Sequence, residues 1–418
     1  MKLSAFGEKF AGDSGIVELM DDLGNALSEN PDMIFMGGGN PGRLPAVEQV
    51  FRENMESILE DPQQRHSLFG IYQSPQGEKE FRKEVAAFLN KQFGWSLSCQ
   101  NIAVSNGSQS AFFMLYNMLA GEMSDDTRRA IHLPLSPEYL GYRDVGLTSS
   151  FFTATRPKIE RLEDHLFKYH IDFSNLNVDH NTAAMCVSRP TNPTGNVLTD
   201  NEISMLDELA RANDIPLIID GAYGLPFPNI IFTEVTPFWN DNTILVLSLS
   251  KLGLPGARTG IVVASEEVIQ AFTRANAVIS LSCGTMGPAL AHQMFRNDQI
   301  LSLSRDHILP FYRERSTQVV DWFRQEMGDL PYQIHKPEGA IFLWVWFEGL
   351  PIGSQEMYQR LKQRGVLVVP GHNFFVGIED EWAHKNQCLR VSYAQDADTV
   401  RQGVRIIAEE ARKAYDLE

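Results

Sequence analysis

T-I-L-V-L-S-L-S-K-L-G-L-P-G-A-R, residues 243–258, opens on an aliphatic run, stops at two serines and a lysine, and leaves through a glycine- and proline-containing turn to Arg258. A short, strongly apolar run bounded by turn residues reads as a buried strand. In open α/β sheets ligands gather beyond the carboxyl ends of the strands, so the polar residues after the run mark a candidate site. A lysine enclosed there among apolar and small residues loses ammonium solvation, which lowers its pKa and makes Lys251 a candidate Schiff-base amine. Ser248, Ser250 and Arg258 together suit a phosphate dianion. The competing reading is a lysine and an arginine exposed on a surface turn, and the rest of the chain must decide.

Three further stretches bear on that choice. In I-I-D-G-A-Y, residues 218–223, Asp220 ends a second apolar strand and Tyr223 follows in the turn. An ionised carboxylate there would stabilise a protonated pyridine nitrogen and turn the ring into an electron sink, with Tyr223 near the ring's phenolate oxygen. Asp220 also reads simply as the N-cap of a following helix. In S-R-P-T-N-P-T-G, residues 188–195, two prolines and a glycine predict a rigid loop that aims Asn192 into a cleft, although N-P-T-G alone is a good turn sequence. In S-N-G-S-Q, residues 105–109, a strand-to-helix junction offers backbone N–H groups to an anion at Gly107, Ser108 and Gln109. It is neither a Walker A loop nor a dinucleotide fingerprint, and a plain helix cap is the alternative.

Outward from these motifs, residues 75–265 alternate apolar strand-like runs (I-A-V-S-N at 102–106, A-A-M-C-V-S at 183–188, P-L-I-I-D at 216–220) with helical patterns, which predicts an α/β domain with a mostly parallel sheet. After about 285 the pattern turns helical, as one long helix or two broken near Pro310, and then gives strand-like A-I-F-L-W-V-W-F, V-L-V-V and N-Q-C-L-R-V-S-Y before a closing helix ending near Lys413. This predicts a smaller α+β lobe. The 418 residues exceed what one core usually supports. A net charge of −17 and a pI near 5.1 disfavour nucleic acid and anionic membrane surfaces as partners and favour a small molecule. The four scattered cysteines form no metal or redox spacing, so no metal is expected. The absence of a signal-like or membrane-spanning stretch makes the cytoplasm the expected compartment.

Taken jointly and in this order, the four motifs resemble the class I/II aminotransferases of pyridoxal-phosphate fold type I, from G-G-G-N-P at 37–41 to L-R-V-S-Y at 389–393. The resemblance implies a large domain, 49–300, with a mostly parallel seven-stranded sheet between helices. It also implies a smaller α+β domain, 301–418, joined by an N-terminal arm, 1–48. The implied cofactor is pyridoxal 5'-phosphate, anchored by Lys251, with Asp220 on the ring nitrogen and Asn192 and Tyr223 on the ring oxygen. Tyr139 would stack on the ring, and Gly107, Ser108, Gln109, Ser248, Ser250 and Arg258 would form the phosphate cup. Tyr72 matches a tyrosine that reaches the neighbouring subunit's cofactor, which implies a homodimer with shared sites. Arg390 and Gly39 match the groups that hold the substrate α-carboxylate, together with Asn192. Gly221 departs from the family's more frequent acidic or amide residue.

The strings S-R-P-T-N-P-T-G-N-V, S-L-S-K-L-G-L-P-G and H-K-P-E-G-A-I-F-L-W resemble family members that exchange the amino group between valine or alanine and pyruvate or 2-oxoisovalerate. For such substrates the pocket wall needs apolar or small groups, and Phe6, Ile16, Phe342 and Phe374 are candidates. Two rival readings remain at this point. A lyase or cyclising synthase on the same scaffold would keep every cofactor residue. A regulatory effector-binding module would need a DNA-binding headpiece, for which the residues before Pro41 are too few and not basic.

Overall fold

The computed structural model describes residues 1–12, 17, 21–22, 24–25, 28, 30 and 32–416. Its central feature is an eight-stranded sheet in the order Ile102–Ser105, Gly260–Val263, Thr243–Ser248, Leu217–Asp220, Thr182–Ser188, Arg128–Leu133 and the two-residue Gly121–Glu122, with Phe152–Ala154 also paired to Arg128–Leu133. Gly260–Val263 and Gly121–Glu122 run antiparallel to their neighbours and the other pairings are parallel. Apart from the two-residue strand at the margin, this is the seven-stranded, mostly parallel sheet that the resemblance implies.

The central strands are apolar on both faces because helices cover both. Ala103, Cys186, Ile218, Ile244, Val246 and Val262 pack on one side with Phe112, Leu115 and Tyr116 of the helix Ser108–Leu119. The alternate residues Val104, Val187, Ile219, Leu245, Leu247 and Ile261 face the other side with Phe81, Val85 and Leu89 of the helix Lys79–Phe93. Full burial of each such side chain contributes about 1.5–3 kcal/mol. The second of these helices shows local control at both ends: the Glu78 side chain accepts from the N–H groups of Glu80 and Phe81, and Gly94 closes it in the left-handed region at φ 70°.

A six-stranded sheet, ordered Val369–Pro370, Cys388–Ser392, Phe342–Phe347, Tyr332–His335, Leu166–His170 and Lys158–Arg161, forms the second lobe. Ile34–Phe35 pairs in parallel with Val366–Leu367 and so ties the N-terminal arm to this lobe. The hairpin 158–170 lies within the 49–300 segment, yet it pairs with Tyr332–His335. A division of the chain at 48 and 300 therefore does not follow sheet membership at this hairpin. The helical stretch after 285 breaks after Met286–Arg296 and then runs without interruption from Gln299 to Met327, as Gln299–Leu303, a π turn at Ser304–Ile308 and Leu309–Met327. Pro310, which has no N–H to give, lies directly after the π turn inside this run, and the closing helix spans Ala397–Ala414.

A buried ion pair joins the lobes. Lys168 of the hairpin bonds to Glu338 and donates to the carbonyl of Val197 (3.1 Å), while Glu338 accepts from the N–H of Val197 (3.2 Å). Replacing Glu338 by Gln leaves the Lys168 charge buried without its counterion. The expected loss is about 3 kcal/mol of stability, read as a lower midpoint in urea; an unchanged midpoint would show that the pair does not hold the lobes.

Candidate active site

The registers of the large sheet align its chemistry. Ser105 and Ser248 both face Gly260, and Asp220 pairs with Ser188, so four strand ends carrying polar groups meet at one edge. Beyond that edge lies a cavity of about 280 Å³. Its wall includes Gly39, Ser108, Gln109, Tyr139, Asn192, Asp220, Tyr223, Ser248, Ser250, Lys251, Arg258 and Arg390. Nearly all the residues singled out from sequence are thus brought together, although their positions span Gly39 to Arg390.

Lys251 stands in a 3-10 turn, Ser250–Leu252, directly after its strand. Its ammonium donates to the carbonyl of Gly39 and lies 5.5 Å from the centre of the Tyr223 ring. Burial lowers its pKa to about 8, assisted by the positive charges of Arg390 and Arg258 and opposed by Asp220. Asp220 is itself fully enclosed. Its Oδ1 accepts from the N–H of Ala222 (2.9 Å) and its Oδ2 from the hydroxyl of Tyr142 (2.6 Å). Burial pushes its pKa up, while Tyr142, Ala222 and Lys251 pull it back. The Asp220 side chain therefore caps a turn at Ala222 and not a helix.

Gly107 is the cap residue of the helix Ser108–Leu119, with φ 88°. A Cβ there would stand 2.2 Å from Nη2 of Arg258, so glycine is what allows the guanidinium to lie against the helix N-terminus. Arg258 itself adopts a left-handed conformation, φ 44°. Ser248 Oγ accepts from the N–H of Ser250 (3.1 Å), and Gln109 donates to the carbonyl of Gly141 (2.8 Å) while its Oε1 stays buried without a partner.

Asn192 is aimed by a loop that folds on itself: Thr191 donates its hydroxyl to Ser188 O (3.0 Å), and Gly195 returns its N–H to Thr191 O (2.8 Å). Arg390, 3 % exposed, donates to Asn192 Oδ1 (2.8 Å) and to the carbonyl of Gly37 (2.6 Å), and its Nε is buried without a partner. Its guanidinium lies 4.1 Å from the Phe342 ring centre and 5.0 Å from that of Phe374. Burial lowers its pKa to about 10. It remains a cation with only neutral acceptors, which is the state of a receptor for a carboxylate.

The fit to a phosphorylated pyridine aldehyde follows from these facts. Lys251, Arg258 and Arg390 face a cavity to which, among the described residues, Asp220 contributes the one carboxylate. Such a cavity demands anions, and the unpartnered Gln109 Oε1 and Arg390 Nε offer further polar contacts.

Some expectations fall elsewhere. Tyr72 is 83 % exposed and does not line this cavity. Phe6 is 60 % exposed and packs on Phe10, and Phe342 and Phe374 lie behind Arg390 and desolvate it, so none of the three is a pocket wall. Ile16 lies outside the described residues. Sequence reading missed Tyr142, the partner of Asp220, although it follows Tyr139 by one turn in the same L-S-P-E-Y-L-G-Y stretch. A buried carboxylate needs a donor, and the nearby tyrosines were the signal.

A buried lysine, a buried aspartate, an arginine against a helix N-terminus and a second arginine held by neutral acceptors thus meet at the edge of an α/β sheet, as a pyridoxal-phosphate-dependent transferase requires. The chain belongs to the aminotransferase class I and II family, whose model matches residues 32–407. It is 47 % identical over 415 residues, 99 % of each chain, to the valine--pyruvate aminotransferase of Escherichia coli strain K12. It superposes with TM-score 0.97 and 44 % identity, over all of both chains, on the crystal structure of a putative amino-acid aminotransferase from Psychrobacter arcticum 273-4. The crystal structure of valine-pyruvate aminotransferase from Salmonella typhimurium LT2 aligns with TM-score 0.89 and 45 % identity, over 97 % of this chain and 100 % of that one. The protein is accordingly an aminotransferase that depends on pyridoxal 5'-phosphate.

Two outcomes are expected. In cofactor-free protein Lys251 should react with an amine-directed reagent half-maximally near pH 8, because only the deprotonated amine attacks; a midpoint near 10.5 would show that burial leaves it unshifted. Gly107→Ala should weaken cofactor binding at least about tenfold in an absorbance titration, since the added methyl displaces Arg258 and strains the backbone.

Proposed function

We propose that the protein transfers the amino group between L-valine or L-alanine and pyruvate or 2-oxoisovalerate. The observation that carries this reading is the charge inventory of the cavity. Its described lining has three cations. If Lys251 anchors the cofactor, Arg258 meets its phosphate and Arg390 meets the substrate α-carboxylate, none remains in this chain for a second substrate carboxylate. Aspartate-like donors are thereby disfavoured, and the full-length likeness to a valine--pyruvate aminotransferase points to aliphatic ones.

Pyridoxal phosphate, when bound, supplies the electron sink that stabilises negative charge on the substrate α-carbon. In this reading Gly107, Ser108, Gln109, Ser248, Ser250 and Arg258 hold its phosphate, Asp220 its ring nitrogen, Asn192 and Tyr223 its ring oxygen, and Tyr139 its face. Arg390, with Asn192 and the backbone of Gly39, fixes the substrate carboxylate and so orients the α-C–H bond toward Lys251. The Nζ of Lys251, with a pKa near 8, takes the α-proton and returns it at the next step. Segment 49–300 is read as the cofactor-binding unit, and 1–48 with 301–418 as the second unit, to whose sheet the hairpin 158–170 adds.

The homodimer rests on a surface argument. Phe69, Ile71, Tyr72, Val278, Ile279, Leu281 and Met286 are exposed, and the two segments touch where Thr285 donates to Leu68 O (2.7 Å). An apolar surface of that kind suits a second copy and would carry Tyr72 toward the neighbour's site. The four cysteines are free thiols, and no helix among the described residues is long and apolar enough to cross a membrane; both accord with the cytoplasm.

L-Valine should bleach the visible absorbance of the bound cofactor and pyruvate should restore it, while Lys251→Ala shows no such band. Failure of valine to change the spectrum would remove the substrate assignment, and release of ammonia would point to a lyase. Arg390→Lys should lower kcat/KM about 100-fold, chiefly through KM, because an ammonium cannot replace the bidentate fork. Co-expression of Lys251→Ala with Tyr72→Ala chains should recover activity that neither has alone; no recovery would refute shared sites.

A further inference from the structure

Glu138 precedes Tyr139 and is a buried acid that the proposed chemistry does not use. Only 1 % of it is exposed, and it lies behind the cavity wall. Its Oε1 accepts from the N–H of Ser188 (2.8 Å), and its Oε2 meets the Ser188 hydroxyl and lies 3.3 Å from the N–H of Tyr139. Ser188 is the last residue of its strand and the sheet partner of Asp220, and its carbonyl accepts from Thr191 in the loop that presents Asn192. The backbone N–H of Glu138 donates to Phe374 O (3.0 Å), and the Phe374 ring packs on Arg390. One residue thus touches the supports of Tyr139, Asp220, Asn192 and Arg390.

We propose that Glu138, bonded to Ser188, is the positioning residue that sets Tyr139 and the Asp220 strand end against the cofactor ring. Burial, together with the nearby Asp220 charge, pushes its carboxyl up to about 8 against the pull of the Ser188 bonds. Its two carboxyl oxygens accept from the N–H and the hydroxyl of Ser188. Glutamine keeps an oxygen for the N–H and an amide that the hydroxyl can meet, and methionine offers neither, although it fills a similar volume. The substrate-dependent part of this inference rests on the transaminase reading; the positioning claim itself needs only bound cofactor.

The test compares E138M, E138Q and S188A as holoenzymes, by the visible circular dichroism of the bound cofactor and by kcat and KM for valine. E138M should change the dichroism per bound cofactor and lower kcat about tenfold with KM within twofold. E138Q should restore both to within about twofold of wild type, and S188A, which removes only the hydroxyl, should fall between. Wild-type dichroism and kcat in E138M would overturn the proposal. So would an E138Q as impaired as E138M, because charge rather than hydrogen bonding would then be what matters. If E138M does not fold, S188A decides: an altered dichroism supports the role and a wild-type one refutes it. A wild-type enzyme inert toward valine would defeat the functional reading while leaving the dichroism comparison intact.

Discussion

The structure depends on keeping an ammonium and two guanidiniums beside one cavity with a single carboxylate facing them. Charges of like sign in a partly desolvated space repel, and each loses hydration on entering it. The protein tolerates this by giving each cation neutral acceptors in place of counterions: Lys251 on the carbonyl of Gly39, Arg390 on Asn192 and the carbonyl of Gly37, and Arg258 on the carbonyl of Pro255 (3.4 Å), while the helix N-terminus beside Arg258 adds its own preference for anions. The result is a cavity whose electrostatic deficit a phosphate and a carboxylate relieve. Binding and chemistry draw on the same cavity, because burial first, and the charges of Arg390 and Arg258 second, lower the Lys251 pKa to about 8.

Such a deficit needs a rigid frame, and the frame is the carboxyl edge of the large sheet. Ladder registers set Ser188 level with Asp220, and Ser105 level with Ser248 across Gly260 two residues further along, so no flexible loop sets their spacing. The loops that do contribute are stiffened: Thr191 and Gly195 close the Asn192 loop on itself, and the Lys168–Glu338 pair holds it from behind. Phe342 and Phe374 press on Arg390 and exclude water from the face opposite its bonds. Precise placement of charge is thereby transferred from side chains with rotamer freedom to strand ends and packed rings.

Much of this was legible beforehand. Apolar runs that end in polar residues were enough to mark the strand ends, because a strand covered on both faces must be apolar along its length and only its end can carry a polar group toward a ligand. Asp220 and Lys251 are of that kind, and so is the loop around Asn192. Tyr142 was not legible, since a buried tyrosine reads as core until its partner is known. The same applies to Phe342 and Phe374, whose apolar character fits a pocket wall as well as a desolvating plate. The hairpin 158–170 was assigned by chain position, but strand pairing placed it in the other sheet.

The sequence by itself determined the sheet type, the polar strand ends and the family, because period, turn chemistry and motif order are local properties of the chain. The tertiary structure decided which neutral groups hold each cation, that Asp220 leans on Tyr142, that Glu138 sits behind Tyr139 and Ser188, and that Tyr72 is exposed outside the wall of its own chain's cavity. These are contacts between residues distant in sequence or set by burial. Hydrogen-bond geometry and desolvation arise only when the folded chain removes water from both partners.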